Sequence, residues 1–173
     1  MGTKFTYALA LTICSAVMRL LLYFTGFETE KLAIGQHIMW LGLVFMIVIL
    51  FLGIRAVREE SPGQYISYGK ALGTGVLISL FSSLMSGVYN FIHLKFINTQ
   101  FVDYQMEVIK LQWEKAGMSA AQMEQAEGVT RMMMGPVLQG IMTVIIGVVI
   151  GLVVSLILAA ILKRPAPEGR MVA

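Results

Sequence analysis

Four stretches of this sequence run for more than 20 residues without an acidic side chain, and they limit what the chain can fold into. They cover residues 5–27, 33–54, 71–94 and 136–162, and Arg19 is the only Lys or Arg inside them. An α-helix needs about 20 apolar residues to cross the roughly 30 Å hydrocarbon core of a bilayer. A barrel strand would instead alternate polar and apolar positions over about 10 residues. Residues 40–52 show no such alternation. The pattern predicts four transmembrane α-helices in one membrane domain spanning residues 1–173.

Composition agrees. Hydrophobic residues make up 57% of the 173 and charged residues 13%, with a mean hydropathy of +0.78. A soluble domain carries about 25% charged residues, so this chain could not cover its own surface in water. The net charge of +3 does not argue for nucleic acid, because the basic residues sit at the ends of apolar blocks rather than on one face. A single cysteine, Cys14, excludes an intrachain disulfide and a thiolate metal cluster.

The first block follows Lys4 and resembles a signal segment in position, but Ile13 precedes Cys14 where a lipoprotein site needs a small residue. No small-x-small cleavage site follows at a suitable distance, so a retained helix is expected. Orientation rests on the basic residues of the short loops. Lys4, Arg55, Arg58, Lys70, Lys163, Arg164 and Arg170 fall on one side. Lys31, Lys95, Lys110, Lys115 and Arg131 fall on the other, where five acids, Asp103, Glu107, Glu114, Glu124 and Glu127, accompany them. Both termini are therefore expected in the cytoplasm, with residues 163–173 as a cytoplasmic tail.

The loops are short except for residues 95–135. Between the first two blocks there is room only for a tight outer turn, and Ser61, Pro62 and Gly63 mark a turn in the inner loop. In the long segment Ile97, Phe101, Tyr104, Val108 and Leu111 recur at helical spacing. Asn98 or Thr99 is the expected N-cap and Gly117 the expected stop. Ser119 with Gln122 three residues on reads as a capping box, opening a second helix with Met123, Ala126, Val129 and Met133 on one face. The expectation is an all-α, four-helix transmembrane bundle with an extracytoplasmic amphipathic helical hairpin between the third and fourth spans.

Lipid gives helices no hydrophobic reason to associate, so small residues that let backbones approach mark the seams. The third block carries Ala71, Gly75, Ser79, Ser83 and Gly87, the fourth Thr143, Gly147, Gly151, Ser155 and Ala159, and the first Ala8, Thr12 and Ala16. Internal packing is the favoured reading, because a four-span chain must bury such seams first. Homodimerisation through Gly147 and Gly151 is the competing one.

The polar residues within the blocks are few. Arg19 either snorkels to the outer interface or serves a substrate or partner; Glu28 or an acid of the outer segment is a candidate partner. His37 lies near Trp40 at one interface, and Asn90 and His93 sit one turn apart near the same depth. Arg19, His37, Asn90 and His93 form a candidate intramembrane polar cluster. Metal binding or proton relay is the sharper reading of the histidines and interface hydrogen bonding the plainer one, since a metal needs more ligands than this depth supplies. Gln139 is expected to make an interhelical hydrogen bond. Met132, Met133 and Met134 lack the companion ligands of a copper site and read as an interfacial apolar anchor. No catalytic triad, zinc-protease helix or phosphate-binding glycine loop occurs. No cofactor and no metal is expected.

Nearly the whole chain resembles a bacterial family of small four-span membrane proteins, the domain of unknown function 4199 family. The resemblance is carried by Phe51, Leu52, Gly53, Ile54 and Arg55 leaving the second span, and by Tyr68, Gly69, Lys70 and Ala71 entering the third. Gly117, Met118 and Ser119 in the long segment and the terminal Ala159, Ala160, Ile161, Leu162, Lys163 and Arg164 complete it. It implies an inner-membrane protein of unassigned function and supplies no catalytic residues. The expected function is a non-enzymatic accessory or assembly protein, with the lipid bilayer and either a membrane protein partner or a second copy as its contacts. The alternative is a small oligomeric transporter or channel.

Overall fold

The computed structural model describes residues 2–165 apart from Met39 and the side chain of Gln36. Residues 166–173, which include Arg170 and most of the expected tail, lie outside the described residues. The described chain is all-α, with seven helices: α1 (Thr3–Phe24), α2 (Leu32–Ile38), α3 (Leu41–Glu59), α4 (Tyr68–Ile92), α5 (Phe101–Lys115), α6 (Ala120–Met133) and α7 (Pro136–Leu162). Four are long and apolar enough to cross a membrane: α1, α3, α7, and α4 with the π-helical turn His93–Ile97 that extends it. Their outward faces present Val17, Leu21, Val44, Val48, Ile145, Val149 and Ile157 about half exposed. Water would penalise such faces, and hydrocarbon does not.

Helix α4 is the centre of the bundle. In its most apolar window 44% is buried, against 17–22% in the other three long helices. It packs antiparallel on α7 along the small-residue seam. A Cβ on Gly75 would collide with Ser155, one on Gly151 with Ser79, and one on Gly147 with Ser83. A Cβ on Gly87 would stand 2.8 Å from the Gly140 carbonyl oxygen. The two helices can approach this closely only because each bump meets a missing side chain. The Gly147 and Gly151 face is therefore filled by α4 of the same chain. On the other side Thr12 of α1 donates to the Ser82 hydroxyl at 3.2 Å. The apolar core lies toward the opposite end from the α5–α6 hairpin and includes Ala8, Leu50, Ile54, Ile78, Val154 and Leu158. Antiparallel backbone hydrogen bonds of 2.9 Å between Ile66 and Arg164 tie the loop after α3 to the end of α7 there.

The second apolar block is not one helix. The chain breaks between α2 and α3, and α2 folds back on the turn after α1: Gly35 lies so close to the Phe27 carbonyl that any Cβ would overlap it. Gln36 and His37 stand just before the break, and no proline does. Helix α3 also runs beyond the apolar limit to Glu59, where Arg55 pairs with Glu59 at 2.7 Å across one turn. Helix α4 starts at Tyr68, capped by Ser67, rather than at Ala71. Hydropathy reports the hydrocarbon boundary, and helices continue past it while caps and i,i+4 pairs sustain them.

The long segment forms two helices. Gly117 takes a positive φ of 78° and ends α5, and Ser119 with Gln122 makes a reciprocal capping box on α6. Neither Asn98 nor Thr99 caps α5; Gln100 holds that position without a side-chain bond. Asn98 is drawn away because its amide donates to the Glu28 carbonyl at 3.2 Å. The side chain of α5 that is buried, Met106, lies off the expected stripe, and Leu111 is exposed. Exposed ion pairs bridge the two helices of the hairpin: Lys110 with Glu127 at 2.7 Å and Arg131 with Asp103 at 2.7 Å.

Candidate functional site: a buried charge network at the hairpin end of the bundle

Arg19 projects from α1 five residues before that helix ends at Phe24. Gly26, at a φ of 82°, lets the chain reverse, and the amides of Phe27 and Glu28 both donate to the Leu22 carbonyl at 2.8 and 3.2 Å. This turn returns Glu28 beneath the helix it has just left, where it is 2% exposed. One carboxylate oxygen accepts from Arg19 Nε at 2.7 Å, and the other accepts from His93 Nε2 at 2.7 Å. An ionised carboxylate only accepts, so the Nε2 nitrogen carries the hydrogen.

His93 is fully buried where α4 passes into its π-helical turn, closed by the Asn98 amide donating to the His93 carbonyl at 2.8 Å. Such turns shift the side chains that follow around the helix axis and recur at functional positions. One turn earlier, Asn90 accepts from Arg19 Nη1 through its side-chain oxygen. Its amide donates to the Thr143 hydroxyl at 2.7 Å and to the Gln139 carbonyl at 3.1 Å on α7. The Tyr89 hydroxyl stands 3.3 Å from His93 Nδ1 and donates to the Ala16 carbonyl at 3.2 Å. The Tyr23 ring meets His93 edge-on with centroids 5.8 Å apart, and the Arg19 guanidinium lies 5.7 Å from the centre of the Phe101 ring of α5.

The network joins α1, the following turn, α4, α5 and α7; Glu28, Asn90, His93 and Asn98 are buried, and Arg19, Tyr89, Phe101 and Thr143 are half-buried. Glu28 lies in the turn, outside the long helices. Burial pushes its carboxyl up, but the hydrogen bond from His93 and the charge of Arg19 outweigh burial and hold it below the ordinary carboxylate value of 4.5. Arg19 and Glu28 cancel each other's charge. Tyr89, His93 and Glu28 stand in hydrogen-bond series.

Of the four residues of the expected cluster, Arg19, Asn90 and His93 come together. His37 does not: it is exposed on α2, because the break in the second block turns that helix off the bundle. Gln139 takes part through its backbone carbonyl rather than its side chain. Tyr89, Asn98 and Thr143 were missed. The available signal was a polar stripe on α4, Ser82, Ser86, Tyr89, Asn90 and His93, which recurs at helical spacing toward the charged end. Among the described residues no group of three or more His, Cys, Asp or Glu could hold a metal ion.

A family model described as Protein of unknown function (DUF4199) matches residues 6–164, which include every residue of the network. No curated protein and no solved structure matches the chain.

Proposed function

The chain belongs to the family Protein of unknown function (DUF4199), and we propose that it is a non-enzymatic accessory or assembly protein of the bacterial inner membrane. Its termini lie in the cytoplasm, and the α5–α6 hairpin stands outside the membrane as the contact surface for a membrane protein partner. The observation that carries this reading is the contrast between the two charged regions. The charges at the bundle end pair with one another and fasten it, with Phe101 set against Arg19. The hairpin seated there leaves Leu111, Val129, Met132 and Met133 exposed, at 54–72% of their surface. Exposed Met, Leu and Val side chains on an element that also carries paired charges suit a protein contact.

Native mass spectrometry of the protein purified from its host membrane in mild detergent tests this. A second polypeptide in fixed stoichiometry is expected, and Val129→Asp with Met132→Asp is expected to release it while the bundle stays folded. A partner-free homo-oligomer that moves a solute in liposomes would overturn the reading. The rival, a small oligomeric transporter or channel, draws support from the Tyr89–His93–Glu28 series, which has the composition of a proton relay. It requires pH-gradient-driven proton flux in proteoliposomes that His93→Phe abolishes.

A further inference from the structure

All four long helices line a partly open cavity of about 220 Å³ next to the charge network. Its walls carry the hydroxyls of Ser15, Ser82, Ser83, Ser86 and Thr143 and the thioether of Met46. Thr143 belongs to both features, since it accepts from Asn90. Ser83 is 6% exposed, lines the cavity beside Gly147, against which it packs, and makes no side-chain hydrogen bond among the described residues. A hydroxyl so deeply placed without a partner is unfavourable unless something in the cavity bonds to it.

We infer that this cavity binds a small neutral hydroxylic solute, either a cluster of waters or a small polyol in their place. No ionisable side chain lines it, so a bound ion would keep its full charge inside the membrane without compensation. Serine and threonine hydroxyls both donate and accept, which fits a ligand that does the same. The volume is ample for several waters, each of which needs roughly 10–15 Å³ of such space. A wholly apolar ligand would leave Ser83 as it stands. The bound solute continues the polar stripe of α4 from Ser82 and Ser86 to Asn90, so the charge network has hydrogen-bonding solute behind it as well as protein around it. The inference does not depend on the accessory reading, because it concerns the bundle interior and not the hairpin.

Hydroxyl-radical labelling of the full chain in lipid nanodiscs tests it, read as methionine oxidation. Met46 lines the cavity, Met142 faces outward on α7 beside Thr143, and Met132 on the hairpin is 72% exposed. Met46 is expected to oxidise several-fold faster than Met142, and the ratio of Met46 to Met132 is expected to fall in Ser83→Ala. Ser15→Leu, which fills the cavity from α1, is expected to lower it further, with thermal unfolding of each variant reporting its folding. Added glycerol separates the two occupants: a lower ratio identifies the polyol and an unchanged ratio identifies water, each as proposed. Met46 oxidation no faster than that of Met142 in the unaltered protein would overturn the inference, as would a ratio unmoved by both substitutions.

Discussion

Two ionic networks of nearly the same geometry sit within this chain in opposite surroundings. In the bundle Glu28 accepts from Arg19 and His93 at 2.7 Å, with Glu28 and His93 almost wholly buried. On the hairpin Glu127 pairs with Lys110 at 2.7 Å and with Arg131 at 2.9 Å, and Arg131 reaches Asp103 at 2.7 Å, with Asp103 and Arg131 well exposed. The comparison teaches that distance does not set the energy of a pair. Water and salt screen the hairpin charges and offer each partner an alternative. The buried charges have none, so losing one partner strands the other.

Removing one buried partner is the strongest test. Glu28→Ala is expected to destabilise the protein by about 3–5 kcal/mol, read as a loss of thermal stability in detergent, because Arg19 and His93 then lose their acceptor. An unchanged melting temperature would break the comparison. Removing both charges is expected to cost much less: Arg19→Met with Glu28→Leu should recover most of that loss, since apolar replacements for a buried pair are often close to neutral. A double variant as unstable as Glu28→Ala would show that the network's hydrogen bonds, not charge balance, carry its effect.

Acid sharpens the comparison further. The carboxyls of Glu28 and Glu127 are both held below 4.5 in the folded protein, Glu28 by His93 and Arg19 against its burial, Glu127 by hydrogen bonds from Lys110 and Arg131. A lowered carboxyl contributes stability that is present above its unfolded value and lost as pH falls through its folded value. Stability should therefore decline as pH drops below 4.5, and Glu28→Gln should remove more of that slope than Glu127→Gln. The smallest effect belongs to the hairpin: Arg131→Gln is expected to leave the melting temperature nearly unchanged, and 1 M salt to erase what difference there is. His37→Ala, outside both networks, should match the unaltered protein throughout.

Much of the fold was legible in the sequence because its causes are local. A run of about 20 apolar residues favours a spanning helix, and each of the four blocks contributes one helix long and apolar enough to cross a membrane. Ser119 and Gln122 cap a helix three residues apart, and Gly117 ends one because it takes a positive φ. The α4–α7 seam was readable because both helices carry small residues four apart, so each advertises its own close-packing face.

The site was legible only in part. That Arg19, Asn90 and His93 shared a depth could be counted along the chain, and their partners could not. Arg19 meets Asn90 from 71 residues away and Glu28 meets His93 from 65, and both contacts depend on how α1 and α4 are rotated about their axes. The diversion of Asn98 from its cap has the same cause: its contact with Glu28 overrides local preference.

The sequence by itself determined four helices long and apolar enough to cross a membrane, a capped helical hairpin and the faces that pack. Only the tertiary structure decided that the one charge inside the apolar blocks is neutralised within the bundle. Periodicity places a residue on a helix face, whereas pairing requires two faces to be turned toward each other, and the packing of the whole bundle sets that rotation.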